Sequence, residues 1–177
     1  MSQQATIMGM GNAPVRDRTG EAGRMSAALR AVMRTDAGLA PVLLRLTLAA
    51  VIFPHGAQKA LGWFGGYGIE GTMGFFGSMG IPALFGALAI AAEFLGPIGL
   101  ATGLLTRVAA FGVASVMAVS MLMVHAANGF FMNWYGSQAG EGIEYHLLAL
   151  GMSAAVMVLG GGSASADRAL AGGRDGR

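Results

Sequence analysis

Four stretches near 41–61, 82–102, 106–126 and 143–160 are built almost wholly from Leu, Ala, Val, Ile, Met, Phe and Gly. A helix rising about 1.5 Å per residue needs about 20 such residues to cross a hydrocarbon core about 30 Å thick. In lipid the backbone must satisfy its own hydrogen bonds, so helices are the natural reading of such segments. The pattern predicts an all-α fold, a transmembrane four-helix bundle. Composition agrees, with 54% hydrophobic and only 11% charged residues against about 25% charged in soluble domains. Four spans leave no room for a separate soluble domain in 177 residues. Residues 1–38 are expected to form a loosely ordered basic cytoplasmic tail, 39–162 the membrane domain and 163–177 a flexible cytoplasmic tail. An interfacial helix over 23–34 fits the placing of Met25, Leu29, Val32 and Met33 near one face.

The basic residues set the orientation. Of the 11 Lys and Arg, all but Arg45 and Lys59 lie in the N-terminal tail, at Arg107 in the tight turn between spans two and three, or in the C-terminal tail. The loops 62–80 and 126–142 carry none; they hold Gly, the acids Glu70 and Glu141, and the aromatics Trp63, Phe64, Tyr67, Phe75, Phe76, Phe130, Phe131, Trp134 and Tyr135. By the positive-inside rule both termini face the cytoplasm, and the aromatics form half a belt on the opposite side. The expected location is the cell inner membrane, multi-pass. Basic residues placed this way serve topology, and nucleic acid is not an expected partner. Pro41 suits a helix start, and Pro54 is expected to kink span one.

Ionisable groups inside spans cost about 2.5–3.5 kcal/mol each on insertion scales, which makes them candidates for function. Span one holds Arg45, His55 and Lys59, span two Glu93, span three ends in His125, and span four opens with Glu144 and His146. Counting along antiparallel helices puts His55, Lys59, His125, Glu144 and His146 in the outer half. Glu93 falls near the middle, about 7 Å beneath His55, where it meets that ring or a bridging water. His55 and Lys59 share a helix face. His146 is directed into the bundle, and Glu144 is expected to meet Lys59 near the rim. Arg45 reads as an anchor at the cytoplasmic interface.

With no cysteine in the chain, dithiol exchange, self-ligated iron–sulfur clusters and c-type haem attachment are excluded. Three histidines with nearby carboxylates, and Met117, Met121 and His125 recurring every four residues, admit a metal such as copper. No H-x-x-x-H or E-x-x-H spacing supports one, methionine stripes usually pack, and no metal is assigned. A bis-histidine haem among His55, His125 and His146 is a further, weaker possibility. Gly62 with Gly66, Gly99 with Gly103, and the ridge Ala110, Ala114, Ala118 read as helix-packing surfaces.

The run His55-Gly56-Ala57-Gln58-Lys59, then Gly62-Trp63-Phe64-Gly65-Gly66, Gly80-Ile81-Pro82, Glu93 with Gly96, Gly103-Leu104-Leu105-Thr106-Arg107, and Gly160-Gly161-Gly162 with Ser163 and Asp167 resembles the DoxX family of small bacterial and archaeal membrane proteins. The resemblance extends from about Val42 to Asp167 and implies a four-helix membrane bundle. It also implies a link to respiratory redox chemistry, since the family is named for similarity to a subunit of an archaeal thiosulfate:quinone oxidoreductase and some members accompany oxidative-stress complexes. His55, Lys59, Glu93 and Arg107 are the matching family elements. Pro97 departs from the pattern, standing where many relatives have a second glycine after the Glu.

Three functions follow as expectations. The first is a membrane subunit of a quinone-linked oxidoreductase. An isoprenoid quinone sits between helices, His55 and Glu93 exchange its protons, Lys59 stabilises negative charge as it forms, and His125, His146 and Glu144 contribute to binding. Arg107 caps the inner end. Such a chain holds no electron carrier of its own, so a protein partner must supply the electron chemistry; self-association into a homo-oligomer is compatible. The second is a non-catalytic membrane anchor or assembly partner, and the third a transporter of a small solute or protons.

Overall fold

The computed structural model describes residues 29 and 31–171. Most of the 23–34 segment and residues 172–177 lie outside that range, so the interfacial helix and the end of the C-terminal tail are not part of the described structure. Among the described residues the elements are helical: α1 (Ala40–Leu61), α2 (Gly68–Ser78), α3 (Ala83–Thr102), α4 (Thr106–Ser120), α5 (Glu144–Leu159) and the short α6 (Ala166–Leu170). A 3₁₀ turn, Trp63–Gly65, joins α1 to α2. Beyond Ser120, α4 widens into a π-helical turn, Met121–His125, and closes in a 3₁₀ turn, Ala126–Asn128.

Three helices are long and apolar enough to cross a membrane: α1, α3, and α4 with its continuation to Asn128. The fourth, α5, is apolar but has 16 residues, about 24 Å of rise. In packing, α1 lies against α3, α3 against α4, α4 against α5, and α5 back against α1. The ring has a proximal end, where the chain enters at Ala40, turns at 103–105 and leaves at Leu159. Its distal end carries loops 62–82 and 129–143.

The interior follows from helical periodicity. On α4 the buried residues are Thr106, Ala110, Val113 and Met117, and on α5 His146, Ala149, Ser153 and Val156; steps of three and four keep them on one face. The apolar ones among them, Ala110, Val113, Met117, Ala149 and Val156, form one core with Leu48, Ala49, Ile52 and Leu100. The outward faces are large and apolar, as at Leu43, Leu84, Phe85, Phe111, Leu122 and Val158. A soluble monomer would not expose so continuous an apolar surface, whereas lipid solvates it.

Glycines do different work from that expected. Gly62 and Gly103 are left-handed residues that end α1 and α3, with φ of 72° and 69°; both are caps, and Gly103 also lies tight against Ser165. Close approach falls to Gly56, where a Cβ would overlap the Glu93 carbonyl, and to Gly96 and Gly99, which lie against Val113 and Ala109. Pro97 is buried inside α3, which runs on to Thr102. Likewise α1 runs through Pro54 to Leu61.

The proximal end is closed by the chain's own C-terminal segment. Arg45, only 2% exposed, donates through Nε to the Gly161 carbonyl (2.8 Å), through Nη1 to those of Leu100 (2.6 Å) and Ala101 (2.7 Å), and through Nη2 to that of Ala164. Two of these carbonyls belong to the last turn of α3, where positive charge is favoured. Asp167, 1% exposed, accepts from the backbone N–H groups of Leu105 (2.7 Å) and Thr106 (2.9 Å) and so caps α4. Arg45 is therefore not an interface anchor but a buried clasp, and residues 163–171 are folded onto the helices in place of a flexible tail. Arg107, as expected, caps the end of the bundle, donating to the carbonyls of Arg34 (3.0 Å) and Val158 (3.0 Å).

Candidate functional site

The distal third of the helix ring collects the polar side chains. Gly56 brings the α1 backbone onto α3 at Glu93. Helical Cα–Cβ bonds tilt toward the helix N-terminus, which for α3 is its distal end. The Glu93 side chain is thus carried distally, past His55, to Lys59, one turn further along α1. Lys59 Nζ lies 2.9 Å from Glu93 Oε1. The spacing His-Gly-x-x-Lys has a physical reading here: the glycine permits contact, and the lysine three residues on meets the carboxylate.

This pairing corrects one expectation, since Lys59 meets Glu93 and not Glu144. Glu93 makes no direct hydrogen bond to His55. Glu144 turns to the distal loop, where Oε1 accepts from the Met132 N–H (3.0 Å). Its neighbour Glu141 accepts in the same way from the Asn133 N–H (2.6 Å). As the first residue of α5, Glu144 lies beside the unpaired N–H groups of a chain doubling back on that helix, and such donors draw a carboxylate.

The remaining groups form a row. The His55 ring is 6.3 Å from that of Tyr145 (centroid to centroid), Tyr145 is 5.6 Å from His146, and His146 is 4.3 Å from His125. His125 Nδ1 is 2.8 Å from the Glu141 carbonyl. A carbonyl only accepts, so Nδ1 carries the proton and Nε2 of the neutral ring is left as an acceptor. His146 is buried within the ring of helices, as expected, while His55 stays exposed on α1 and His125 is half-buried.

Three buried polar atoms of this cluster have no hydrogen-bond partner among the described residues: Glu93 Oε2, Tyr145 Oη and His146 Nδ1. Leaving such a group unsatisfied costs about 1–3 kcal/mol, and native folds usually provide a partner, protein or otherwise. They come from α3 and α5, which lie across the ring from one another, with His55 and Lys59 supplied by α1 and His125 by the continuation of α4. Tyr145 is the residue that the sequence reading missed. It carries no formal charge and was passed over in an inventory of acids, bases and histidines; its position beside His146 at the start of span four was the available signal. Among the described residues, no three of His, Asp and Glu converge as metal ligands.

A chain whose described elements are all helical, with membrane-length apolar helices and a buried glutamate paired to a partly exposed lysine among histidines, is a small polytopic membrane protein with a polar site at one end. Its residues 40–126 match the DoxX family model, so the chain carries a DoxX domain. The matched segment covers α1 to α4 with its continuation, and so includes His55, Lys59, Glu93 and His125. Comparison with curated proteins and with solved structures gives no match.

Proposed function

We propose that the chain is a four-pass membrane subunit of a quinone-linked oxidoreductase, with both termini on the cytoplasmic side of the cell inner membrane and the distal site in the outer half. The carrying observation is the Lys59–Glu93 pair with Glu93 Oε2 unpartnered and facing a layer that also holds the unpartnered Tyr145 Oη and His146 Nδ1. A quinone head group has two carbonyl oxygens that accept hydrogen bonds and take up protons on reduction, which suits such a set of donors and acceptors. Helix α5 packs on both α1 and α4, which supports counting it as the fourth pass.

In this reading Glu93 holds or releases a proton at Oε2, and Lys59 balances the carboxylate charge as the proton leaves. His146 and His125 bind the head group, and His55 exchanges protons at the exposed side of α1. Glu144 holds the distal loop over the site. The electrons are supplied or withdrawn by a partner protein, for which the exposed distal aromatics Trp63, Phe64, Tyr67, Trp134 and Tyr135 are the natural contact surface. The same rim favours the second reading, a non-catalytic anchor that assembles a partner enzyme.

Native mass spectrometry from mild detergent after loading with quinone tests the proposal. Wild type should retain one quinone per chain, and His55→Ala and Glu93→Gln should lose it while keeping their helical content. A wild type that stays bare after loading would overturn the quinone reading and favour the anchor.

A further inference from the structure

The helix α2 crosses the distal end of the seam between α1 and α3 and packs on both. It meets them along one narrow face. Thr72, its one buried residue, holds its hydroxyl 3.5 Å from the Lys59 carbonyl, and Met73 and Phe76 press on Gly86 of α3. Gly86 precedes Glu93 by seven residues, about two turns along the same face, and the Glu93 side chain is carried toward it. The helix thus roofs the Lys59–Glu93 pair, in which Glu93, 3% exposed, keeps Oε2 without a partner.

The roof is weakly built. Of the 11 residues of α2, Gly68, Gly71, Gly74 and Gly77 are glycine, and each glycine weakens a helix relative to alanine. At Gly74 and Gly77 nothing lies within 4 Å of the missing Cβ, and neither has a left-handed backbone. Packing and conformation therefore do not require glycine there, and its effect is to soften the helix. The chain before α2 is pinned, because Gly66 lies on the Gln58 backbone and Gln58 Nε2 donates to the Phe64 carbonyl (3.3 Å). Bending is left to the two ends, Gly68 and Gly80, with φ of 66° and 75°. Segments with few buried contacts open most easily, and lids are drawn from them. We infer that α2 is a lid on the distal site, swinging about Gly68 and Gly80 to expose the Glu93 carboxyl along the α1–α3 seam. Glycines alone would mark only a soft helix; the buried, unpartnered Oε2 beneath them makes it a cover over a binding site. The identity of what enters rests on the quinone reading above, and the lid does not.

In phospholipid nanodiscs, the amides of α2 should exchange hydrogen while those of α1 and α3 at the same depth stay protected. Gly74→Ala combined with Gly77→Ala, for which there is room, should slow α2 exchange about tenfold. Entry to the site is read with dicyclohexylcarbodiimide, an apolar reagent that adds to buried carboxyls as a stable N-acylurea, located by peptide mass spectrometry. Glu93 should be labelled in wild type and about tenfold more slowly in the double alanine variant. Met73→Cys and Gly86→Cys, in a chain with no other cysteine, should abolish labelling when joined by a short bismaleimide. The same pair capped singly with N-ethylmaleimide should label at least as fast as wild type. An α2 as protected as α1, an unlabelled Glu93 in wild type, or labelling indifferent to the cross-link would each overturn the inference. Lid-dependent labelling in a protein that retains no quinone would uphold the lid and sink the quinone reading. Quinone retained in mass spectrometry with labelling indifferent to the cross-link would do the reverse.

Discussion

Lys59 and Glu93 form an asymmetric pair: the carboxylate side chain is 3% exposed and the lysine 30%. Removing one member of a fully buried pair typically costs about 3–5 kcal/mol, because the other charge is left uncompensated. Lys59 is reached by solvent or headgroups, so screening lowers the figure, and Lys59→Met should destabilise by about 2 kcal/mol. Combining it with Glu93→Leu should recover most of that loss. Thermal unfolding of the four proteins of the cycle in one detergent measures the coupling; purely additive effects would mean that the pair is not formed. Both residues stood out in the sequence because a charge within a span is costly. Their pairing was not legible, since helical rise gives depth without the direction in which a side chain leans. Depth alone puts Lys59 beside Glu144, whereas the tilt of the Glu93 side chain toward the start of α3 and the docking of Glu144 on the Met132 N–H decide otherwise.

At the level of elements, α1 and α3 meet where a side chain is impossible. Gly56→Ala would place a methyl on the Glu93 backbone, forcing the helices apart at a cost of about 1–3 kcal/mol and stretching the ion pair one turn on. Gly151, within α5 and with nothing near its missing Cβ, is the control: Gly151→Ala should be neutral or stabilising by up to about 1 kcal/mol. Melting temperatures of the two variants check this, and equal effects would show that Gly56 is not a contact point. The helices α1, α3, α4 and α5 begin within a residue of where the sequence puts them, and three of them have membrane length, because apolar length and the helix-starting Pro41 are local signals. Which glycine packs and which caps was not. Gly62, Gly99 and Gly103 share one spacing pattern, and only backbone dihedrals and neighbouring helices separate the turn-formers from the contact-makers. The fold of 163–171 was hidden for a related reason. Its Gly, Ser and Ala look like linker, and the partner that orders it, Arg45, lies more than a hundred residues earlier.

For the whole molecule, the basic residues predict a sidedness that a chain without cysteine makes easy to check. Ser137→Cys, in the distal loop, should react with an impermeant maleimide on intact spheroplasts, and Ala171→Cys only after permeabilisation; the opposite pattern would invert the topology. The clasp at the proximal end also bears on how the protein is made. Arg45 lies within α1, yet the carbonyls of Gly161 and Ala164 that complete its hydrogen bonds are made more than a hundred residues later. Through most of synthesis the bilayer must tolerate a guanidinium with only part of its final cage, held by the carbonyls at the end of α3 or by headgroups. Without residues 163–171, Arg45 would keep the carbonyls of Gly161, Leu100 and Ala101 but lose that of Ala164, and α4 would lose its Asp167 cap. The ring of helices is thus closed at its proximal end by a segment that belongs to none of its four walls.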